Sequence, residues 1–172
     1  MRLFHVSEEA NIDVFLPRLP ARQDLDPGVG LVWAIDEKHL PNFLTPRNCP
    51  RVCFHDWAGA SDTDRKRFLP MGHPCGIVLE NAWRSAMEST VLYVYEFDPE
   101  GFVLQDANAG YYVSTKTETP VACCIIPNPL TELLAKGADV HFEDLLWSAA
   151  DAVRQSTLQW SLCRMGYARQ RF

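Results

Sequence analysis

At 172 residues the chain suits one globular domain spanning 1–172, and it is long enough to bury a core without staples. Its apolar share of 47% and charged share of 22% are ordinary for such a domain, while a net charge of -6 argues against a nucleic-acid binder. No run approaches the roughly 18 apolar residues of a membrane span, and Glu8 and Glu9 come too early for an export signal. The expectation is a cytoplasmic protein with no membrane attachment and mostly free thiols at its six cysteines.

The first strand is Leu3–Ser7, with Leu3, His5 and Ser7 on one face and Phe4 and Val6 on the other. A loop rich in Pro and Gly follows from Leu19 to Gly30, carrying Arg22 close behind Arg18, and leads to a strand over Leu31–Ile35. Asp36 can cap a short helix that runs to Leu44, with Pro41 limiting it. Arg51–His55 is the third strand. Ser61 and Asp64 form a capping pair for a helix over Ser61–Leu69, and the loop Phe68–Gly76 separates it from a strand at Gly76–Glu80.

Val91–Phe97 alternates, and its face of Val91, Tyr93, Tyr95 and Phe97 is expected to be buried. Strands follow at Gly101–Leu104, Tyr111–Thr115 and Val121–Ile126, the last two flanking a polar hairpin that holds Glu118. Cys123 and Cys124 lie in the apolar run and are expected in the core. Asn128-Pro129 starts a helix that Gly137 stops. Glu143–Gln155 carries a 3.6-residue apolar period, with Glu143 and Asp144 suited to its N-terminus. Thr157–Met165 alternates Leu158, Trp160 and Leu162 with polar residues, which predicts a strand returning to the sheet. The sum is an α+β domain, with a mainly antiparallel central sheet, either single or split in two, and about four short helices.

Candidate chemistry begins with His5. With Phe4 and Val6 in the core, His5 and Ser7 point to a cleft, where imidazole and hydroxyl can bond one ligand; the plain alternative is a histidine satisfied by local backbone. Cys49, Cys53, His55, His73 and Cys75 supply zinc-type ligands, but no C-x2-C spacing is present, and no metal is expected. Glu118 at its turn can stabilise a developing cation or simply be solvated. The chain has no P-loop, G-x-S-x-G or H-E-x-x-H motif.

Leu3-Phe4-His5-Val6-Ser7-Glu8, Phe15-Leu16-Pro17-Arg18, Val32-Trp33-Ala34-Ile35-Asp36 and His39-Leu40-Pro41-Asn42-Phe43-Leu44 resemble an uncharacterised, mostly bacterial family of single-domain proteins. Ser156-Thr157-Leu158 and Arg164-Met165 fit the same family. More distantly, the chain is similar to ADP-ribosyltransferase-like folds, including the RNA 2′-phosphotransferases. That resemblance implies an NAD-using transferase acting on a nucleotide-type small molecule. His5 and Ser7 would hold the ribose, Tyr112 would stack on nicotinamide, Arg18 would contact the pyrophosphate, and Glu118 would be catalytic beside His5. The family's E-x-E element is absent and Ser114-Thr115 is not a full S-T-S. Two other classes stand beside it: a non-catalytic ligand-binding or interaction module on the same fold, and a small zinc-stabilised domain.

Overall fold

The computed structural model describes residues 1–20 and 25–171. Arg22 and the middle of the Leu19–Gly30 loop lie outside the described residues. In chain order the elements are β1 (Leu3–Ser7), β2 (Val32–Asp36), β3 (Arg51–His55), α1 (Asp62–Phe68), β4 (Cys75–Glu80), α2 (Arg84–Ser89) and β5 (Leu92–Phe97). There follow β6 (Val103–Asp106), β7 (Tyr111–Ser114), β8 (Ala122–Ile126), α3 (Pro129–Ala135), β9 (Asp139–Glu143), α4 (Trp147–Arg154) and β10 (Gln159–Cys163). The chain is α+β, and its strands form two sheets. Among the described residues no helix is long and apolar enough to cross a membrane.

The chain divides into two compact units. The first comprises Met1–Phe43 and Leu92–Ile126. Its six-stranded sheet runs β6-β7-β2-β1-β5-β8, and every pairing is antiparallel. The β1–β5 register sets His5 opposite Tyr95 and Ser7 opposite Tyr93, so these side chains share a face. Leu3, Val32, Ala34, Phe97 and Phe102 form a buried cluster, and Phe15 and Tyr112 pack against it.

The second unit comprises Leu44–Val91 and Pro127–Phe172. Its sheet runs β10-β3-β4-β9, antiparallel except for the parallel β4–β9 pair. Val52, Phe54 and Val78 on one face pack with Leu146, Ala150 and Val153 from α4 and the residue before it. Thr157–Met165 holds a strand, as the alternation of Leu158, Trp160 and Leu162 predicts, and β10 pairs with β3 with Trp160 opposite Phe54.

Helix ends follow their chemistry. Ser61 caps α1, accepting from the Asp64 N–H at 3.1 Å. Asn128 caps α3, accepting from the Thr131 N–H at 2.9 Å, and Pro129 occupies the first turn.

Four expectations are corrected. Asp36 does not start an α-helix; Pro41 lacks the N–H that would continue one, and Leu40–Phe43 forms a 3-10 turn. Glu143 ends β9 and α4 begins only at Trp147, so the expected helix over Glu143–Gln155 loses its first turn to the sheet. β7 and β8 are not joined by a hairpin. β7 lies between β6 and β2 and β8 lies outside β5, so residues 115–121 cross from one side of the sheet to the other. Cys123 and Cys124 are exposed because β8 is an edge strand.

Candidate functional site

The site region of the first unit is built on the sheet face that carries His5, Ser7, Tyr93, Tyr95 and Phe97. The segment after β1 folds back across this face. Asn11 takes a left-handed φ of 57°, a conformation asparagine tolerates better than most residues, and this turns the chain. Tyr95 fixes the turn: its hydroxyl donates to the Glu9 carbonyl at 2.8 Å and accepts from the Ile12 N–H at 3.1 Å.

Phe15 then seats its ring on the face. It lies 4.9 Å from the His5 ring, 5.2 Å from Tyr95 and 5.0 Å from Phe97, the last two edge to face. Its backbone pairs with Glu118, Phe15 N–H to Glu118 carbonyl at 2.8 Å and Glu118 N–H to Phe15 carbonyl at 3.0 Å. Three residues on, Arg18 exchanges backbone hydrogen bonds with Leu31 at 3.1 and 2.9 Å.

The five residues singled out from the sequence therefore gather around one strap, but in different roles. His5 donates from Nδ1 to the Trp33 carbonyl at 2.9 Å. Burial pushes its pKa down; the Trp33 carbonyl works against this, and the Arg18 charge adds to the fall. His5 is thus a neutral imidazole packed under Phe15. Ser7 accepts from the Glu9 N–H at 3.0 Å. Tyr112 is committed to the Leu3–Phe97 cluster. Arg18 is exposed. Glu118 is half-buried, its carboxylate beside Gly101, where an added Cβ would lie 3.6 Å from Oε1.

An open groove of about 370 Å³ lies further along the same unit. Asn11, Ile12 and Asp13 form one wall, Tyr93 and Tyr95 the floor, and Pro120 to Cys123 with Ile125 the other wall. Sequence reasoning missed this groove. Its signal was present in Tyr93 and Tyr95, which are two apart on one strand, but the crossing of residues 115–121 was not legible.

A second polar arrangement sits at the end of β2. One oxygen of Asp36 accepts from the His39 N–H at 2.8 Å and from the His39 ring Nδ1 at 2.7 Å. Burial tends to raise the Asp36 pKa, but the bonds from His39, with the charges of His39 and Lys38, bring it below the usual carboxylate value. The Asp36 N–H donates to the Gly110 carbonyl at 3.0 Å, so β2, the turn after it and the turn before β7 meet at this one residue.

The suggested zinc ligands lie in the second unit. Cys53 and His55 share a face of β3, and Cys75 is opposite His55. Cys49 contacts the Pro50 carbonyl at 3.7 Å, and His73 Nδ1 bonds the Gly137 carbonyl at 2.8 Å. Among the described residues no three His, Cys, Asp or Glu side chains converge in an arrangement that could hold a metal ion.

A family model, described as a family of unknown function (DUF6886), matches residues 4–168. No curated protein and no solved structure matches the chain.

Proposed function

We propose, for a chain that belongs to a family of unknown function (DUF6886), that the first unit is a binding module that takes an extended peptide along β8. The observation that carries this is the character of the β8 edge. Val121 just before it and Ile125 within it are 64% and 59% exposed, and Ala122, Cys123 and Cys124 between them are exposed as well. Natural sheet edges are blunted by charges, prolines or bulges. β8 reads Ala-Cys-Cys-Ile-Ile, with neither charge nor proline.

An added strand would use the outward backbone groups of β8 for affinity and the groove for side-chain selection. Tyr93, Tyr95 and Ile125 favour an apolar side chain there, and Asp13 favours a neighbouring basic one. The test is amide-resolved NMR with short peptides that alternate Val or Ile with Lys. Protection and shifting of the amides of residues 121–126, lost in Ile125→Lys while the fold is retained, is the expected result. Shifts elsewhere only, or none with any such peptide, would overturn it.

A second reading, an NAD-using transferase, is favoured by one observation. His5 and Ser7 share the sheet face on which Tyr112 packs, and Glu118 and Arg18 lie in the segments paired along the strap. In that reading Glu118 acts on the ribose cation and His5 on a ribose hydroxyl once Phe15 swings away. Glu118→Ala would then abolish nicotinamide release while leaving NAD affinity within a few-fold. Calorimetry with NAD separates the readings: no binding at millimolar concentration removes this one.

A further inference from the structure

We infer that Cys53 and Cys163, in the second unit, form a peroxide-reactive dithiol, with Cys163 as the attacking sulfur and Cys53 as the resolving one. The pair is created by strand register. In the β3–β10 ladder Cys53 is opposite Ser161 and Arg51 opposite Cys163, so all four side chains leave the same face of the sheet. Cys53 and Cys163 are diagonal neighbours on that face, and each thiol shifts the titration of the other. Ser161 Oγ lies 3.1 Å from the same sulfur. Arg51 is buried, its guanidinium held by a 2.8 Å bond from Nη1 to the Cys49 carbonyl, and it keeps a cation next to Cys163.

Access and charge divide the roles. Cys53 is fully buried, whereas Cys163 is partly exposed near the C-terminal end. The residue after Cys163, Arg164, holds a left-handed φ of 55°, uncommon for a non-glycine and a frequent mark of functional sites. The hydrogen bond from Cys53 draws the Cys163 thiol down; burial opposes it, and Arg51, Ser161 and Arg164 reinforce it. Burial and the bond to Cys163 push Cys53 well up. Two other buried thiols behave in the opposite way to Cys163, with burial raising Cys49 to about 12 and Cys75 to about 11. The downward shift at Cys163 therefore comes from its neighbours and not from burial, which acts against it.

The chemistry closes with hydrogen peroxide as oxidant. The Cys163 thiolate attacks one peroxide oxygen; the S–O bond forms, the O–O bond breaks, and hydroxide leaves to become water. Cys163 is then a sulfenic acid. The Cys53 sulfur attacks the Cys163 sulfur; the S–S bond forms, the S–O bond breaks, and hydroxide departs with the Cys53 proton as a second water. Two thiols and one peroxide give one disulfide and two waters. A diagonal cross-strand pair, roughly 7–8 Å apart, exceeds the span of a relaxed disulfide, so forming the bond shifts the end of β10 and leaves a strained link that a dithiol readily reduces.

The experiment uses the full chain with Cys123→Ser and Cys124→Ser, which removes the two exposed thiols. Peroxide treatment followed by peptide mapping without reductant should give a Cys53–Cys163 cross-link that a dithiol reverses. Adding Cys53→Ser should replace the cross-link with a trapped sulfenic acid at Cys163. In the unaltered chain, iodoacetamide at neutral pH should label Cys163 about tenfold faster than Cys123 or Cys124, the advantage of a thiolate over an ordinary thiol. A chain that remains folded yet shows no cross-link, or labels Cys163 no faster than Cys123, overturns the proposal.

Discussion

Phe15 and Glu118 are joined by two backbone hydrogen bonds, at 2.8 and 3.0 Å, although 103 positions of sequence separate residue 15 from residue 118. The pairing ties the strap after β1 to the crossing between β7 and β8. It also places an aromatic ring on His5, in the space that a simple cleft around His5 would leave open. The strap is therefore the element that decides whether the His5 face is a core or a site.

Phe15→Ala should cost about 3 kcal/mol, the lower part of the range for emptying a buried aromatic position, because the ring is only partly enclosed. Urea unfolding measures this. The variant should also release His5 from burial, the largest cause of its lowered pKa, so its NMR titration should move back up towards the ordinary imidazole value of 6.5. A His5 titration unchanged by the loss of Phe15 would show that the ring does not shield it.

Asp36 links stability to acid pH. Its folded pKa lies below the ordinary value of 3.8, so the folded state binds fewer protons there than the unfolded state does. The stabilisation is complete above that value and is lost as pH falls through the lower folded pKa. Glu96 beside Arg2, and Asp64 beside Thr157, act in the same direction. The difference between wild type and Asp36→Asn therefore isolates Asp36. It should be about 1.5–3 kcal/mol at neutral pH, the range for a hydrogen bond to a charged group, and shrink as pH falls below 3.8. A difference independent of pH would contradict the assignment.

The fold was legible where periodicity and caps speak locally. β1 and β3 fall where short apolar or alternating runs place them, and the Ser61–Asp64 and Asn128–Pro129 signals mark true helix starts. α2 was missed because Arg84–Ser89 has one buried residue, Met87, too few for a periodic signal. β9 was missed because its pattern of Asp139, Val140, His141, Phe142 and Glu143 alternates but directly precedes a stronger helical period. Sheet order was not legible at all, since it depends on long-range pairing. The exposure of Cys123 and Cys124 follows from the edge position of β8, and the Cys53–Cys163 relation from the β3–β10 register; composition carries neither. His5 was found because an isolated polar residue on an apolar strand stands out, but its neighbour Phe15 lies in a loop without period.

The return of the C-terminal strand to the second sheet has a direct energetic consequence. Trp160 is opposite Phe54 and packs against the cluster formed by Val52, Phe54, Val78, Leu146 and Val153. Trp160→Ala should destabilise by about 3 kcal/mol, at the low end for a core aromatic because the indole is half-buried. Hydrogen exchange should accelerate across β10 and β3 together, since they share one ladder. A loss confined to residues after 165 would mean that β10 frays independently of the sheet.

Gly110 is an exacting position in the first unit. Its φ is 70°, in the left-handed region that costs a residue with a Cβ about 1–2 kcal/mol. Space forbids a side chain as well, because a Cβ at Gly110 would run into the Nδ1, Cγ and Cβ atoms of His39, the ring that Asp36 holds in place. The ring cannot yield without breaking its bond to Asp36, and the Gly110 carbonyl is itself fixed by the Asp36 N–H. Strain and collision therefore add at one point. Gly110→Ala should cost more than the backbone strain alone, about 3 kcal/mol or above. In an Asp36→Asn background, where the ring is held less firmly, the same substitution should cost less, and a double-mutant cycle of urea midpoints measures that coupling. Additive costs would show that the collision is relieved elsewhere and that Asp36 does not hold His39 against Gly110.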